Sequence, residues 1–250
     1  MQLSFRKMHG LGNDFVIVDN RDGSHTFTAD QIRLMSNRHF GVGCDQFIVL
    51  EHSSKADVFM RIYNPDASEA GACGNATRCV AHLLERSECT IETISGILSC
   101  ERQPDGMITV DMGAPRVIED IKVDGRDGVS VDMGNPHCVF FVEDLKNVKV
   151  EAAGRLVEEH PQFPNRTNVE FAQILSPDKI RMRVWERGAG VTLACGSGAC
   201  ATIAAAVTKG LSNRRAKIVL DGGSLFLDWR ESDGHILMTG PAAEVFQGTF

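Results

Sequence analysis

Two cysteines stand in the same setting. Cys195 ends the glycine-rich run Trp185-Glu186-Arg187-Gly188-Ala189-Gly190-Val191-Thr192-Leu193-Ala194 and precedes Gly196-Ser197-Gly198 and an Ala-rich segment. That segment, residues 199–209, is apolar on nearly every face, which predicts a buried helix, with Gly210 as its stop. Cys73 stands in Ala72-Cys73-Gly74-Asn75-Ala76, ahead of a helical stripe of Ala76, Val80, Leu83 and Leu84. Each thiol is therefore expected where a loop turns into the first turn of a buried helix. Free backbone N–H groups and the positive end of the helix dipole meet there. Such a position favours the thiolate, whose pKa can fall from ~8.5 to roughly 3.5–7.5.

Two like groups opposed across one bound molecule suit the inversion of a carbon centre. One thiolate removes a proton and the other thiol returns one to the opposite face. The helix starts at Gly74, Asn75, Gly196 and Ser197 would hold a carboxylate through their N–H groups and stabilise the charge that develops on it. Nothing marks a Schiff-base lysine, so no pyridoxal phosphate or other cofactor is expected. Cys73 with Cys79, and Cys195 with Cys200, lack the C-x2-C spacing of structural zinc sites, so no metal is expected.

The two settings are copies. At an offset of 122, Arg61-Ile62-Tyr63-Asn64 falls on Arg183-Val184-Trp185-Glu186, Gly12-Asn13 on Gly134-Asn135, and Gln46 on Asn168. After the second helix a short loop, 211–215, shifts the register so that Gly96 pairs with Gly223. The period is too long for a solenoid and suits two homologous lobes. Strands are expected at 15–19, 47–50, 58–63, 90–94, 97–101 and 108–112, with a helix at 30–38. The second half repeats them at 138–142, 169–174, 180–185, 217–220, 224–228 and 236–239, with a helix near 152–159. Consecutive strands around one long helix per half predict an α+β fold of two pseudo-symmetric lobes, each a mainly antiparallel sheet or barrel around a central helix. The expected domains are 1–117, joined by 241–250, with Cys73, and 118–240, with Cys195. The crossing is expected within 115–127.

A 250-residue chain with 43% hydrophobic and 24% charged residues is an ordinary globular protein. Its formal charge of −7 and lack of a basic stripe argue against nucleic acid. No membrane-length run and no signal peptide are evident. Eight cysteines without a secretion signal point to reduced thiols and a cytoplasmic setting. A thiol-redox or metal-binding module is the competing class, and the missing CxxC spacing speaks against it.

The segments MHGLGNDFVIVD (8–19), GVGCDQ (41–46), NPDASEAGACGNATRC (64–79), GNPHCVFF (134–141) and WERGAGVTLACGSGACA (185–201) resemble diaminopimelate epimerase. The resemblance implies a cofactor-independent epimerase interconverting LL- and meso-diaminopimelate for lysine and peptidoglycan synthesis, and a homodimer. It implies Cys73 and Cys195 as the acid/base pair, with Asn13, Gln46, Asn64, Asn135, Asn168, Glu186 and Arg187 lining the substrate pocket. Arg187 would grip the distal carboxylate bidentately, aided by Asn64 and Asn168, Glu186 would meet the α-ammonium, and His137 would tune the thiols. The departures are Ala67 and Ala76, where the family commonly has glycine, and a shorter segment at 115–132. Another two-cysteine racemase, acting on histidine or proline, is the runner-up.

Overall fold

The computed structural model describes residues 3–250. The chain forms two compact units. One holds residues up to Val110 together with Gly240–Phe250, and the other holds Asp111–Thr239. The division falls some residues before the expected 117/118. The reason is local: Val117–Val123, in the segment expected as a crossing, is a strand paired along its length with Arg126–Asp132.

The first unit runs β1 (Ser4–Gly10), β2 (Asn13–Asp19), α1 (Ala29–Ser36), β3 (Gln46–Glu51), β4 (Val58–Tyr63), β5 (Glu69–Ala70), α2 (Gly74–Leu84), β6 (Glu88–Thr93), β7 (Gly96–Arg102) and β8 (Ile108–Asp111). The C-terminal strand Ala243–Thr249 returns to pair with β1. Neighbours are antiparallel except β2 with β3 and β4 with β6, which are parallel.

The second unit repeats this element by element: β9 (Val117–Val123), β10 (Arg126–Asp132), β11 (Pro136–Phe141), α3 (Val150–Glu158), β12 (Asn168–Ser176), β13 (Lys179–Glu186), β14 (Gly190–Thr192), α4 (Gly196–Thr208), β15 (Arg215–Leu220), β16 (Gly223–Trp229) and β17 (Ile236–Gly240). Its parallel pairs are again β11 with β12 and β13 with β15. Even the register is copied: Phe15 faces Gln46, and 122 residues on His137 faces Asn168.

The central strands have two buried faces, as parallel pairs require. On the outer face of the first unit Val16, Val18, Phe47 and Val49 pack on Ile32 and Met35 of α1. Cys138, Phe140, Val169 and Phe171 pack on Val150 and Val157 of α3 in the second. Strand alternation then turns Phe15 and Ile48, or His137 and Glu170, toward the inner face. That inner face wraps the central helix: α4 touches β10, β11, β12, β13, β15 and β16. From Ala199 to Ala206 every residue of α4 is buried, so the helix forms because the sheet covers it on all sides, as its unbroken apolar pattern predicts. α2 stops at Glu85, which takes the left-handed conformation. Among the described residues no helix is long and apolar enough to cross a membrane.

Candidate active site

Parallel β2 and β3 begin together, and antiparallel β4 ends beside them. The pairings Phe15–Gln46 and Phe47–Tyr63 therefore bring Asn13, Gln46 and Asn64 to one edge of the first sheet. Cys73 is the N-cap residue of α2, in extended conformation. Its Sγ lies 3.8 Å from Asn13 Oδ1, which also accepts from Asn75 Nδ2 at 3.0 Å. Gln46 Nε2 donates to Asn64 Oδ1 at 3.2 Å, and Asn64 Nδ2 to Ser68 Oγ at 3.1 Å. Gly74 is the first residue of α2, and buried. Asn75 is buried beside Arg78, whose guanidinium is fully enclosed and donates to Asn75 Oδ1 at 2.9 Å. Gly10 makes room for this pair, since a Cβ there would sit 2.8 Å from the Arg78 guanidinium.

Asn13 is itself held by a charged cluster that sequence reasoning did not single out. Its amide donates to Asp45 at 2.9 Å, and Arg38 bridges Asp45 and Asp14, meeting both oxygens of Asp14 at 2.6 and 2.9 Å. Lys7, buried along β1, also donates to Asp14 and to the Gly43 carbonyl. Burial pushes the Asp14 carboxyl up, but Arg38 and Lys7 together outweigh it and hold it well below the usual carboxylate range. The folded state therefore binds the Asp14 proton more weakly than the unfolded chain. The stability this contributes is present above the unfolded pKa of ~3.9 and is lost as pH falls below it. Asp14→Asn leaves a nearly buried Lys7 uncompensated and should cost about 3 kcal/mol at pH 7. In urea unfolding the gap from wild type should narrow below about pH 4; a gap independent of pH would contradict the assignment.

The second unit gathers a richer set. Cys195 is the N-cap of α4, and its Sγ accepts from the Gly198 N–H at 3.4 Å and lies 3.6 Å from Ser197 Oγ. Gly196 and Ser197 form the first turn of α4. Asn135 Nδ2 donates to Ser197 Oγ at 3.3 Å, and Asn135 Oδ1 faces His137 Nε2 at 3.1 Å. His137 Nδ1 meets Glu170 Oε1 at 2.7 Å, both side chains wholly enclosed. Glu186 takes the Thr192 hydroxyl and the Cys195 thiol; burial pushes its carboxyl up, and those two hydrogen bonds only partly offset this. Asn168, buried, accepts from the Arg187 N–H at 3.0 Å and donates to the Pro136 carbonyl at 2.9 Å. The exposed Arg187 guanidinium touches the Asn165 carbonyl at 3.2 Å.

The Arg187 loop has a second anchor, Glu158 at the end of α3. Buried, it accepts from Trp185 Nε1 at 2.6 Å and from the Gly188 N–H at 2.8 Å. Neither Glu158 nor Glu170 belonged to a glycine-rich motif. The signal for Glu170 was its place in the apolar strand Val169-Glu170-Phe171-Ala172, at the offset that carries Ile48 in the first half.

The expectation that the helix start would favour the Cys195 thiolate is corrected. Burial raises this thiol well above its ordinary value, and the Glu186 and Glu170 carboxylates add to the rise. The Gly198 N–H and the Ser197 hydroxyl pull the other way and lose. The magnitudes explain why: a helix terminus is worth ~0.3–2 kcal/mol, whereas full burial shifts a group by up to 3–5 pKa units. Asn13 opens β2, and the positive φ values fall on Leu11 and Gly12 before it. Ala67, where a glycine was expected, does carry a positive φ of 70°.

The fold and the helix-capping thiols together define a duplicated two-unit α+β protein with one thiol at the start of each central helix. The same architecture occurs in a PhzF-family phenazine biosynthesis protein of Bacillus anthracis (TM-score 0.77, 17% identity, 100% and 99% of the two chains). It occurs also in a hydroxyproline epimerase of Agrobacterium vitis (TM-score 0.74, 16% identity, 99% and 92%). A sequence profile of the family described as diaminopimelate epimerase matches residues 5–118 and 129–245. The chain is 51% identical to a diaminopimelate epimerase of Rhodospirillum centenum over 98% of its own length and 91% of the relative's. It is 48% identical to one from Gluconobacter oxydans over 100% and 99%. The chain belongs to the diaminopimelate epimerase family.

Proposed function

We propose that this enzyme interconverts LL- and meso-2,6-diaminopimelate without a cofactor, using Cys73 and Cys195 as proton acceptor and donor, in lysine and peptidoglycan precursor synthesis. The observation that carries the reading is the pair of helix-capping thiols, Cys73 beside Asn13 and Cys195 linked through Ser197 to Asn135, the matching asparagine of the repeat. In the enzyme form with a thiolate at Cys73 and a thiol at Cys195, Cys73 takes the α-proton. The electron pair moves into the α-carboxylate, whose charge the N–H groups at Gly74, Asn75, Gly196 and Ser197 stabilise. Cys195 returns its proton to the opposite face and is left as thiolate. The reverse direction exchanges the roles. The enclosed Cys195 suits the donor role, since burial keeps its proton in place until the carbanion forms.

Asn64, Asn168 and Arg187 form the grip on the distal carboxylate, Glu186 receives the α-ammonium, and Asn13, Gln46 and Asn135 complete the pocket. A homodimer in the cytoplasm is the working form. The hydroxyproline epimerase of the same fold keeps a second reading open, a racemase for a substrate with one carboxylate. Arg187→Lys distinguishes them, because Lys keeps the charge but loses the planar fork. The loss should be about 10- to 100-fold in kcat/KM, equivalent to the ~1.5–3 kcal/mol of a charged hydrogen-bonded contact. Equal turnover of amino acids with and without a distal carboxylate would select the second reading.

A further inference from the structure

The two units are copies in register, yet the chemistry beneath their thiols differs. Below Cys73 the inner face carries Phe15 and Ile48, both wholly buried. At the same two register positions below Cys195 stand His137 and Glu170, equally buried and 2.7 Å apart. The first unit forms the same strands with hydrocarbon there, so the pair is not needed to build the sheet. A buried acid and imidazole are costly groups to keep in place of a phenylalanine and an isoleucine. The pair is also fitted closely: a Cβ on Gly198 would lie 2.6 Å from Glu170 Oε1, so the carboxylate rests against the first turn of α4. In the first unit the matching residue is Ala76.

From Glu170 an unbroken line of contacts leads to the thiol. Its steps are His137 Nδ1 at 2.7 Å, His137 Nε2 to Asn135 Oδ1 at 3.1 Å, Asn135 Nδ2 to Ser197 Oγ at 3.3 Å, and Ser197 Oγ to Cys195 Sγ at 3.6 Å. The line has a direction. Asn135 Oδ1 accepts only, so Nε2 must carry a hydrogen. Ser197 Oγ accepts from Asn135, which leaves its own hydrogen for the sulfur. The hydrogen on Nε2 is secured from the far side in two arrangements: a ring carrying both hydrogens gives its Nδ1–H to a Glu170 carboxylate, or a neutral Glu170 donates to Nδ1.

We propose that Glu170 is a positioning residue for the reaction: through His137 and Asn135 it orients the Ser197 hydroxyl as a donor to Cys195 Sγ. The line then supplies, with the Gly198 N–H, two hydrogen bonds to the thiolate that Cys195 becomes on giving up its proton. Charge-assisted bonds of this kind form in the step itself and so act on kcat rather than on binding. The proposal rests on Cys195 being an acid/base residue, and its test is chosen to fail separately from that reading.

The experiment joins a spectroscopic readout to kinetics. In protein labelled with 15N-histidine, the long-range 1H–15N pattern of His137, assigned with His137→Gln, should show a protonated Nε2 in the absence of substrate. Glu170→Met should lose that pattern and lower kcat about 10- to 100-fold with KM within about 3-fold. Glu170→Gln, whose amide N–H donates to Nδ1 and so keeps the hydrogen on Nε2, should recover kcat to within about 5-fold of wild type. An unprotonated Nε2 in the wild type, with the Asn135 amide turned over, overturns the proposal, as does a folded Glu170→Met enzyme with wild-type kcat. Equal damage from Gln and Met also overturns it, since charge rather than orientation would then matter. If Glu170→Met does not fold, the wild-type spectrum and the Gln variant still decide. The His137 pattern needs no turnover, so it stands whether or not Cys195→Ala abolishes activity.

Discussion

Cys73→Ala and Cys195→Ala should each lower kcat by at least ~10²–10⁴-fold, the range one positioned acid or base supplies. In the proposed two-thiol reaction both belong to one proton relay, so the double variant should be little worse than either single one. Cys79→Ala and Cys200→Ala are the controls. Both side chains are wholly buried on the central helices, and burial pushes Cys79 up to about 12, so it stays an unreactive thiol. These variants should keep near-native turnover and show only the stability cost of a small cavity. Near-native turnover in either Cys73→Ala or Cys195→Ala would remove the basis for a two-thiol reaction.

Gly198→Ala should damage turnover far more than stability. Its Cβ would stand 2.6 Å from Glu170 Oε1 and 3.3 Å from Cys195 Sγ, so both must move. Glu170 must shift outright while Cys195 Sγ gives by a few tenths of an ångström; since a displacement near 1 Å at the reacting group costs on the order of 10²-fold in rate, kcat should fall by about 10-fold. Stability should change far less. Overpacking costs ~1–3 kcal/mol, and the gain in helix propensity from Gly to Ala returns up to ~1 kcal/mol. The mirror change, Ala76→Gly, removes a wholly buried methyl at the position that matches Gly198 in the first unit. It should cost about 1 kcal/mol of stability and leave kcat within about 3-fold. Steady-state kinetics and urea unfolding on the two variants read both effects. Similar kcat losses in both, or in neither, would contradict the asymmetry between the units.

Much of this was open to a reader of the sequence, for particular reasons. The repeat at 122 residues placed both cysteines at helix starts, because a Gly-rich loop running into Ala199–Ala206 has one favourable continuation. The central strands FVIV, QFIVL and VEFA are apolar runs between turn residues, and they appear as β2, β3 and β12. The outer strands were not legible. β1 carries Arg6, Lys7 and His9, and β9 is mostly exposed, so neither has the pattern of a buried strand. Ala243–Thr249 is likewise largely exposed and owes its strand to pairing with β1.

At the site, residue types were readable but protonation was not. A helix start seen in sequence suggests a thiolate, while the enclosure of Cys195 and the carboxylates of Glu186 and Glu170 depend on packing. The partners that hold the motif residues were hidden for the same reason. Asp45 and Arg38 reach Asn13, and Glu158 reaches the Arg187 loop, only after the sheet has formed.

The most direct measurement is isotopic. LL-Diaminopimelate is incubated with the enzyme in deuterium oxide, and the LL and meso pools are separated and analysed for α-deuterium over the first few per cent of conversion. Two thiols on opposite faces, each exchanging with solvent between turnovers, predict one deuteron at the inverted carbon of nearly every meso molecule and almost none in the remaining LL pool. Protium kept at that carbon in the meso product, or deuterium entering the LL pool as fast as meso forms, would mean that one group serves both faces and would contradict the account.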